Sequence, residues 1–213
     1  MRIDGLTIGA IAGALPYRRS RLVNAAATAA VAAVLAAPLS NPAAAAEAEC
    51  KAMAAALLAN TAVPYHSYTT TAFEYSAPVA EAERKLHMPR EQQSEAIFTG
   101  TGLFLKLPTG KWVDTHLSPD ALRDQIRAAV GKFSDCQRLA DDKTGGGTEA
   151  VYLAQSADEH KSITTKIWVT ADRGLPVRSE TDIGLMEAPG QAVVHQHVST
   201  RSTYGEVQAP KVE

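Results

Sequence analysis

The rhythm of apolar and polar positions changes several times along the chain, and each change marks an element. From Ala46 the run AEAECKAMAAALLAN consists of helix formers, which predicts a helix over 47–60. Met53, Leu57 and Leu58 lie within one stripe, Asn60 is a natural stop, and Pro64 forces the chain extended. Tyr65–Tyr75 is mostly β-branched or aromatic and reads as a strand. Residues 76–93 form a polar excursion with Pro78 and Pro89, with a short helical piece expected near 79–86. An excursion of that length suits a lid or flap. Ser94–Thr99 is the next strand, and Gly102–Leu107 with Lys111–His116 make a hairpin about Pro108-Thr109-Gly110.

Ser118-Pro119-Asp120 is a strong helix start, combining a capping hydroxyl, a preset first residue and an acidic first turn. Leu122, Ile126, Val130 and Phe133 recur behind it at helical spacing, opposite Arg123, Asp124 and Arg127. Strands follow at Gln137–Asp142, Glu149–Gln155, Ser162–Thr170, Leu175–Ile183 and about Ala192–Tyr204, with turns at Gly145–Gly147 and Ala171–Gly174. Consecutive strands with short turns make an antiparallel meander. The expected fold class is α+β: a curved antiparallel sheet covered by an N-terminal helix and one central amphipathic helix.

The first 46 residues read as an export signal. Arg18, Arg19 and Arg21 form a basic head, a charge-free alanine-rich run extends from Leu22 to Ala46, and Ala43–Ala46 is a small-residue exit. A membrane anchor is the weaker reading, because a span needs about 20 strongly apolar residues and this run is mostly alanine. Arg18-Arg19 with Leu22-Val23 also resembles a twin-arginine signal, departing from it at Tyr17 and Arg21. Glu49 precedes Cys50, which argues against lipid attachment there. The sequence therefore predicts cleavage near Ala46, a mature chain of residues 47–213 forming a single domain, and a soluble periplasmic location.

The whole chain has a formal charge of −2, and the signal holds four arginines against Asp4, so the mature part carries about −5. That balance excludes nucleic acid, which demands a basic face. Cys50 and Cys136 are the two cysteines, and an exported chain with an even count predicts one disulfide. Free thiols for redox or metal work are the alternative, but no C-x-x-C spacing supports them.

The segment KIWVTADRGLPVRSETDIG, Lys166–Gly184, resembles the paired strands of the bacterial lipoprotein-carrier (outer-membrane lipoprotein-sorting) family and its half-barrel relatives. The capped helix and the late strand ending in Tyr204-Gly205 before Pro210 are compatible with that resemblance. It implies a half-barrel-like domain over 47–213, whose concave side, lidded by helices, holds acyl chains. What it carries over is the fold and an apolar cavity, not lipoprotein transfer itself.

Candidate ligand-binding residues are Tyr65, Tyr68, Phe73, Trp112, Tyr152 and Trp168 on the strands, with Leu122 and Ile126 on the central helix as lid or floor. Ordinary core and cross-strand packing is the competing reading for each aromatic. His195-x-His197 places two imidazoles on one strand face about 7 Å apart. With His116 or Asp114 they could hold a metal, or simply sit on a solvated face. Glu180 and Asp182 read as surface ion-pair partners facing Lys166. No G-x-S-x-G, H-E-x-x-H or phosphate loop is present, so neither an enzyme nor a cofactor is expected.

The sequence thus points to a periplasmic binding or carrier protein for an apolar or lipid-like ligand on the concave face, with peripheral membrane contact allowed. The alternatives are an envelope protein-interaction module with a filled core, and a metal-binding protein using His195 and His197.

Overall fold

The computed structural model describes residues 42–75, 90–144, 147–157, 161–185 and 193–212. The expected signal through residue 41, most of the 76–93 excursion and the Gly145-Gly146 tip lie outside the described residues. The described residues open with α1 (Pro42–Ala59) and a 3₁₀ turn (Asn60–Ala62), and β1 (Tyr65–Tyr75), β2 (Glu91–Phe98), β3 (Leu103–Lys106) and β4 (Trp112–Asp114) follow. Then come α2 (Pro119–Val130), β5 (Ser134–Arg138), β6 (Asp142–Thr144), β7 (Gly147–Ala157), β8 (Lys161–Thr170), β9 (Pro176–Leu185) and β10 (Val193–Tyr204).

All ten strands join one open, curved antiparallel sheet, ordered β4-β3-β2-β1-β10-β9-β8-β7-β5, with β6 also on β7. The expected α+β class is what the structure has. Two meanders flank a central pair made by the first and last strands. The β1–β10 ladder runs unbroken from Tyr65↔Tyr204 to Glu74↔His195.

Local chemistry explains the boundaries. Ser118 Oγ accepts from Ala121 N at 3.2 Å and starts α2 as its cap. The hairpin between β3 and β4 turns at Gly110, whose φ of 82° favours glycine. Gly110 N donates to Leu107 O at 2.9 Å, and Leu107 N donates to Lys111 O at 2.8 Å.

Several expected boundaries move, among them the start of α1, which lies at Pro42 rather than 47. α2 ends at Val130 because the chain tightens after it into i→i−3 bonds, Lys132 N donating to Ala129 O at 3.2 Å and Phe133 N to Val130 O at 3.1 Å, in a turn over Gly131 and Lys132. Phe133 therefore leaves the α2 stripe and packs beside α1 instead. β2 begins at Glu91, three residues before the expected Ser94, because Gln92 and Gln93 pair with Thr71 and Thr70 on solvated stretches of β1. The strand expected over 137–142 is two pieces. Asp135, with φ of 51°, breaks the ladder between Ser134 and Gln137, and an Arg138–Asp141 ion pair spans the jog into β6.

Both helices cover the same sheet face, each over one half. α1 lays Met53 and Ala56 on Ala150, Ala154, Ile167 and Val169. α2 lays Leu122 and Ile126 on Tyr65, Phe98, Leu103 and Tyr204. The expected disulfide is present: Cys50 on α1 is bonded to Cys136 on β5, with Cα atoms 5.1 Å apart and a sequence separation of 86. No helix among the described residues is long and apolar enough to cross a membrane.

The staple closes a long loop, so it narrows the unfolded ensemble strongly. Replacing both cysteines by serine should lower unfolding free energy by up to about 4–5 kcal/mol. Urea melts of the oxidised chain against the double variant read this directly, and coincident midpoints would show that the staple contributes nothing.

Candidate functional site

The two sheet faces differ in charge. On the helix side, register places Ser94, Thr69, Thr200, Ser179, Ile167 and Tyr152 in one row across β2, β1, β10, β9, β8 and β7. The next row is Gln92, Thr71, Val198, Thr181, Thr165 and Ala154. A third holds Phe73, Gln196, Ile183, Ile163 and Ser156. No residue in these three rows carries a charge. Thr69 and Thr200 hydroxyls bond each other at 2.9 Å, and Thr165 and Thr181 at 3.3 Å. Paired hydroxyls satisfy one another across strands, so the wall stays weakly polar. Arg138 sits at the β5 margin, bonded through Nη1 to Tyr152 Oη at 2.9 Å.

The outer face gathers the charges. One register row reads Trp168, Arg178, Arg201, Tyr68, Glu95, Lys106 and Trp112, from β8 across to β4. Trp168 is buried between Lys166 and Arg178, whose cationic groups lie 4.5 and 4.2 Å from its ring centre, and its Nε1 donates to Asp142 Oδ2 at 3.2 Å. Glu95 takes Lys106 Nζ at 2.7 Å and faces His66 Nε2 at 3.3 Å. The His66 ring lies 4.3 Å from that of Tyr68, which is 51 % exposed.

The candidate ligand residues accordingly fall into separate groups. Tyr65, Leu122 and Ile126 share the α2 core, and Tyr152 packs against the α1 core. Phe73 lies on the helix side, its ring 6.3 Å from Tyr75. Tyr68, Trp112 and Trp168 occupy the opposite face. An even alternation along a strand assigns relative faces, but one sequence offers no sign of which face the helices take. The threonine and serine rows carried the clearest missed signal, since period-two hydroxyls in β1 (Ser67, Thr69, Thr71), β9 (Ser179, Thr181) and β10 (Thr200, Ser202) are visible in the sequence.

His195 and His197 do share a face, and both approach Asp182 Oδ1, at 3.9 and 2.7 Å. His116 and Asp114 adjoin each other at 3.6 Å on the β4 side, with β1, β2 and β3 between them and β10. Among the described residues no group of three or more His, Cys, Asp or Glu is arranged to hold a metal. Glu180 stands opposite Lys166 in the ladder but pairs with Arg178, and Asp182 pairs with His197.

No family model matches the chain, and no curated protein matches it. Several solved structures align with most of it. The Mycobacterium tuberculosis lipoprotein LppX covers 76% of this chain and 98% of its own length, at 11% identity and a TM-score of 0.42. The Pseudomonas aeruginosa MucA/MucB complex aligns with 76% of this chain and 59% of its own, at 11% identity and a TM-score of 0.37. A Vibrio parahaemolyticus domain described as an outer membrane lipoprotein-sorting protein covers 74% and 92%, at 6% identity and a TM-score of 0.22. At these identities and TM-scores the likeness assigns no function to this chain.

Two ionisable groups report on these faces. Burial pushes the Tyr65 phenol up to about 12. Its folded value exceeds the unfolded one near 10, so its contribution is complete below about pH 10 and is lost as pH rises towards 12. Phenolate absorbance should therefore show Tyr65 ionising late and together with alkaline unfolding; its ionisation in the still-folded chain near pH 10 would contradict the burial. The Lys106 hydrogen bond, helped by His66, holds the Glu95 carboxyl below its usual range. This depressed carboxyl contributes stability above the unfolded value that is lost as pH falls through the folded one. Lys106→Met should raise the Glu95 titration midpoint in a carboxyl-detected NMR titration.

Proposed function

We propose that this chain is exported, loses residues 1–46 as a signal, and works in the periplasm as a binding or carrier protein. The ligand is apolar or lipid-like and uncharged, held on the helix side of the sheet in its single 47–213 domain. The observation that carries this reading is the charge-free wall between the two helix-covered cores. Arg138 closes the Tyr152 row at the β5 margin and is paired with Asp141. A charged ligand group buried among the other strands would therefore meet no unpaired opposite charge, at heavy cost, whereas an acyl chain or neutral ester would meet methyls and already-paired hydroxyls. Leu122 and Ile126 on α2 form one end of that wall and Tyr152 the other, while Phe73, Ile163 and Ile183 extend it. Apolar surface moved out of water there contributes about 25 cal/mol per Å² before ordering costs.

Cleavage near Ala46 removes the first turn of α1 and leaves the Glu47–Lys51 pair and the Cys50 staple in place.

Native mass spectrometry of the full chain expressed and recovered from periplasm tests the reading. The expected species starts at Glu47, keeps one disulfide and carries a lipid adduct lost on denaturation. Thr200→Asp should reduce the adduct-bearing fraction by roughly tenfold or more, because it places an unpaired carboxylate in the wall. Thr200→Val should retain it. A bare polypeptide, still bare after incubation with neutral lipid vesicles, would transfer the reading to an envelope interaction module.

A further inference from the structure

The outer face holds a second feature that the carrier reading does not use. A groove of about 230 Å³ lies over β1, β2 and β3, lined by Tyr68, Thr70, Gln93, Glu95, Lys106 and Leu107. A second depression, lined by Trp112, Lys111 and Lys211, meets it at Gly110 of the β3–β4 hairpin. We propose that this groove is an oligosaccharide-binding site, with one sugar over Tyr68 and an acidic sugar towards Trp112 and Lys211.

The chemistry of the walls selects this ligand class. Tyr68 offers an exposed ring, and its partner His66 holds the ring in place from one side, with Tyr68 Oη 3.4 Å from His66 Nδ1. A pyranose presents an apolar C–H face that covers such a ring, and its rim of hydroxyls needs fixed polar groups beside it. Those groups are present and pre-oriented. Glu95 is held by Lys106 and His66, and Gln93 Nε2 donates to Glu91 Oε1 at 3.2 Å. Glu95 accepts, Lys106 donates, and Gln93 and Thr70 do both.

Other ligand classes fit poorly. A peptide would need a free strand edge to add its backbone, but β1, β2 and β3 are each hydrogen-bonded on both sides. An acyl chain would need a continuous apolar slot, whereas the apolar lining here, from Tyr68, Leu107 and Pro108, is broken by Gln93, Glu95 and Lys106. The second depression adds direction: Lys106 lies over the Trp112 ring at 5.8 Å, and Lys211 stands beyond it. Val212 pairs with Trp112 in a parallel bridge, which fixes the C-terminal tail and its lysine beside the ring.

Titration of the full chain with a tetra-uronate, followed by Trp fluorescence and by amide NMR shifts, tests the site. Trp168 is 3% exposed, so a fluorescence response reports on Trp112. Saturable binding is expected, with shifts centred on residues 66–70, 93–95 and 104–112. Tyr68→Ala should weaken it at least tenfold while the thermal midpoint holds, because the ring is exposed. Glu95→Gln should weaken it also, and Lys211→Ala should weaken the tetra-uronate but not a neutral tetrasaccharide of N-acetylglucosamine. Thr200→Asp should leave sugar binding unchanged, which separates this site from the helix-side ligand. No binding at millimolar tetra-uronate would overturn the proposal. Binding indifferent to Tyr68→Ala would overturn it as well, as would complete reproduction of the signal by inorganic sulfate.

Discussion

The β1–β10 ladder is the constraint on which the rest depends. It joins the first strand of the sheet to the last and stitches two meanders into one surface. On one side β2, β3 and β4 fold back from β1; on the other β9, β8, β7 and β5 fold back from β10. Without this pairing each half would keep a helix and a core of its own, but there would be no shared wall between them. Closing such a contact requires nearly the whole chain to be in place, so the entropy of loop closure must be met by the long register itself.

That ladder also sets the chemistry of the two faces. Because side chains alternate, a single register aligns Thr69 with Thr200 on the helix side and Tyr68 with Arg201 on the outer side. The helix-side rows stay neutral, while Arg178, Glu180, Asp182, Lys106 and Glu95 collect outside. A one-residue slip would exchange the two sets, burying arginine and carboxylate beneath the helices. The separation of charge therefore protects the register as well as giving the sheet two chemically different surfaces.

The helices are placed by different means. α2 is held by packing of Leu122 and Ile126 against Tyr65, Phe98 and Tyr204, and by the Arg123 Nε hydrogen bond to Thr61 Oγ1 at 3.3 Å. α1 has small residues over much of its length and relies on Met53, Ala56 and the covalent link from Cys50 to Cys136. An alanine-rich helix buries little apolar area per turn, so a covalent tie to β5 supplies what packing does not. The two helices thus frame the neutral wall from opposite ends.

The sequence alone determined the α+β class, the capped α2, the hairpin at Gly110 and the pairing of the two cysteines. These follow from local rules: capping groups, glycine at positive φ and strand alternation act within a few residues. Tertiary structure alone decided which face of each strand turned inward, because alternation defines two faces without ranking them. It sent Trp168 and Trp112 outward and Tyr65 inward, although all are aromatics in strands. It moved Phe133 from the α2 stripe to the α1 core, because a turn at Gly131 redirects the chain. It also assembled the neutral wall and the outer aromatic–charged row, since each draws single residues from six or more strands that meet only through register.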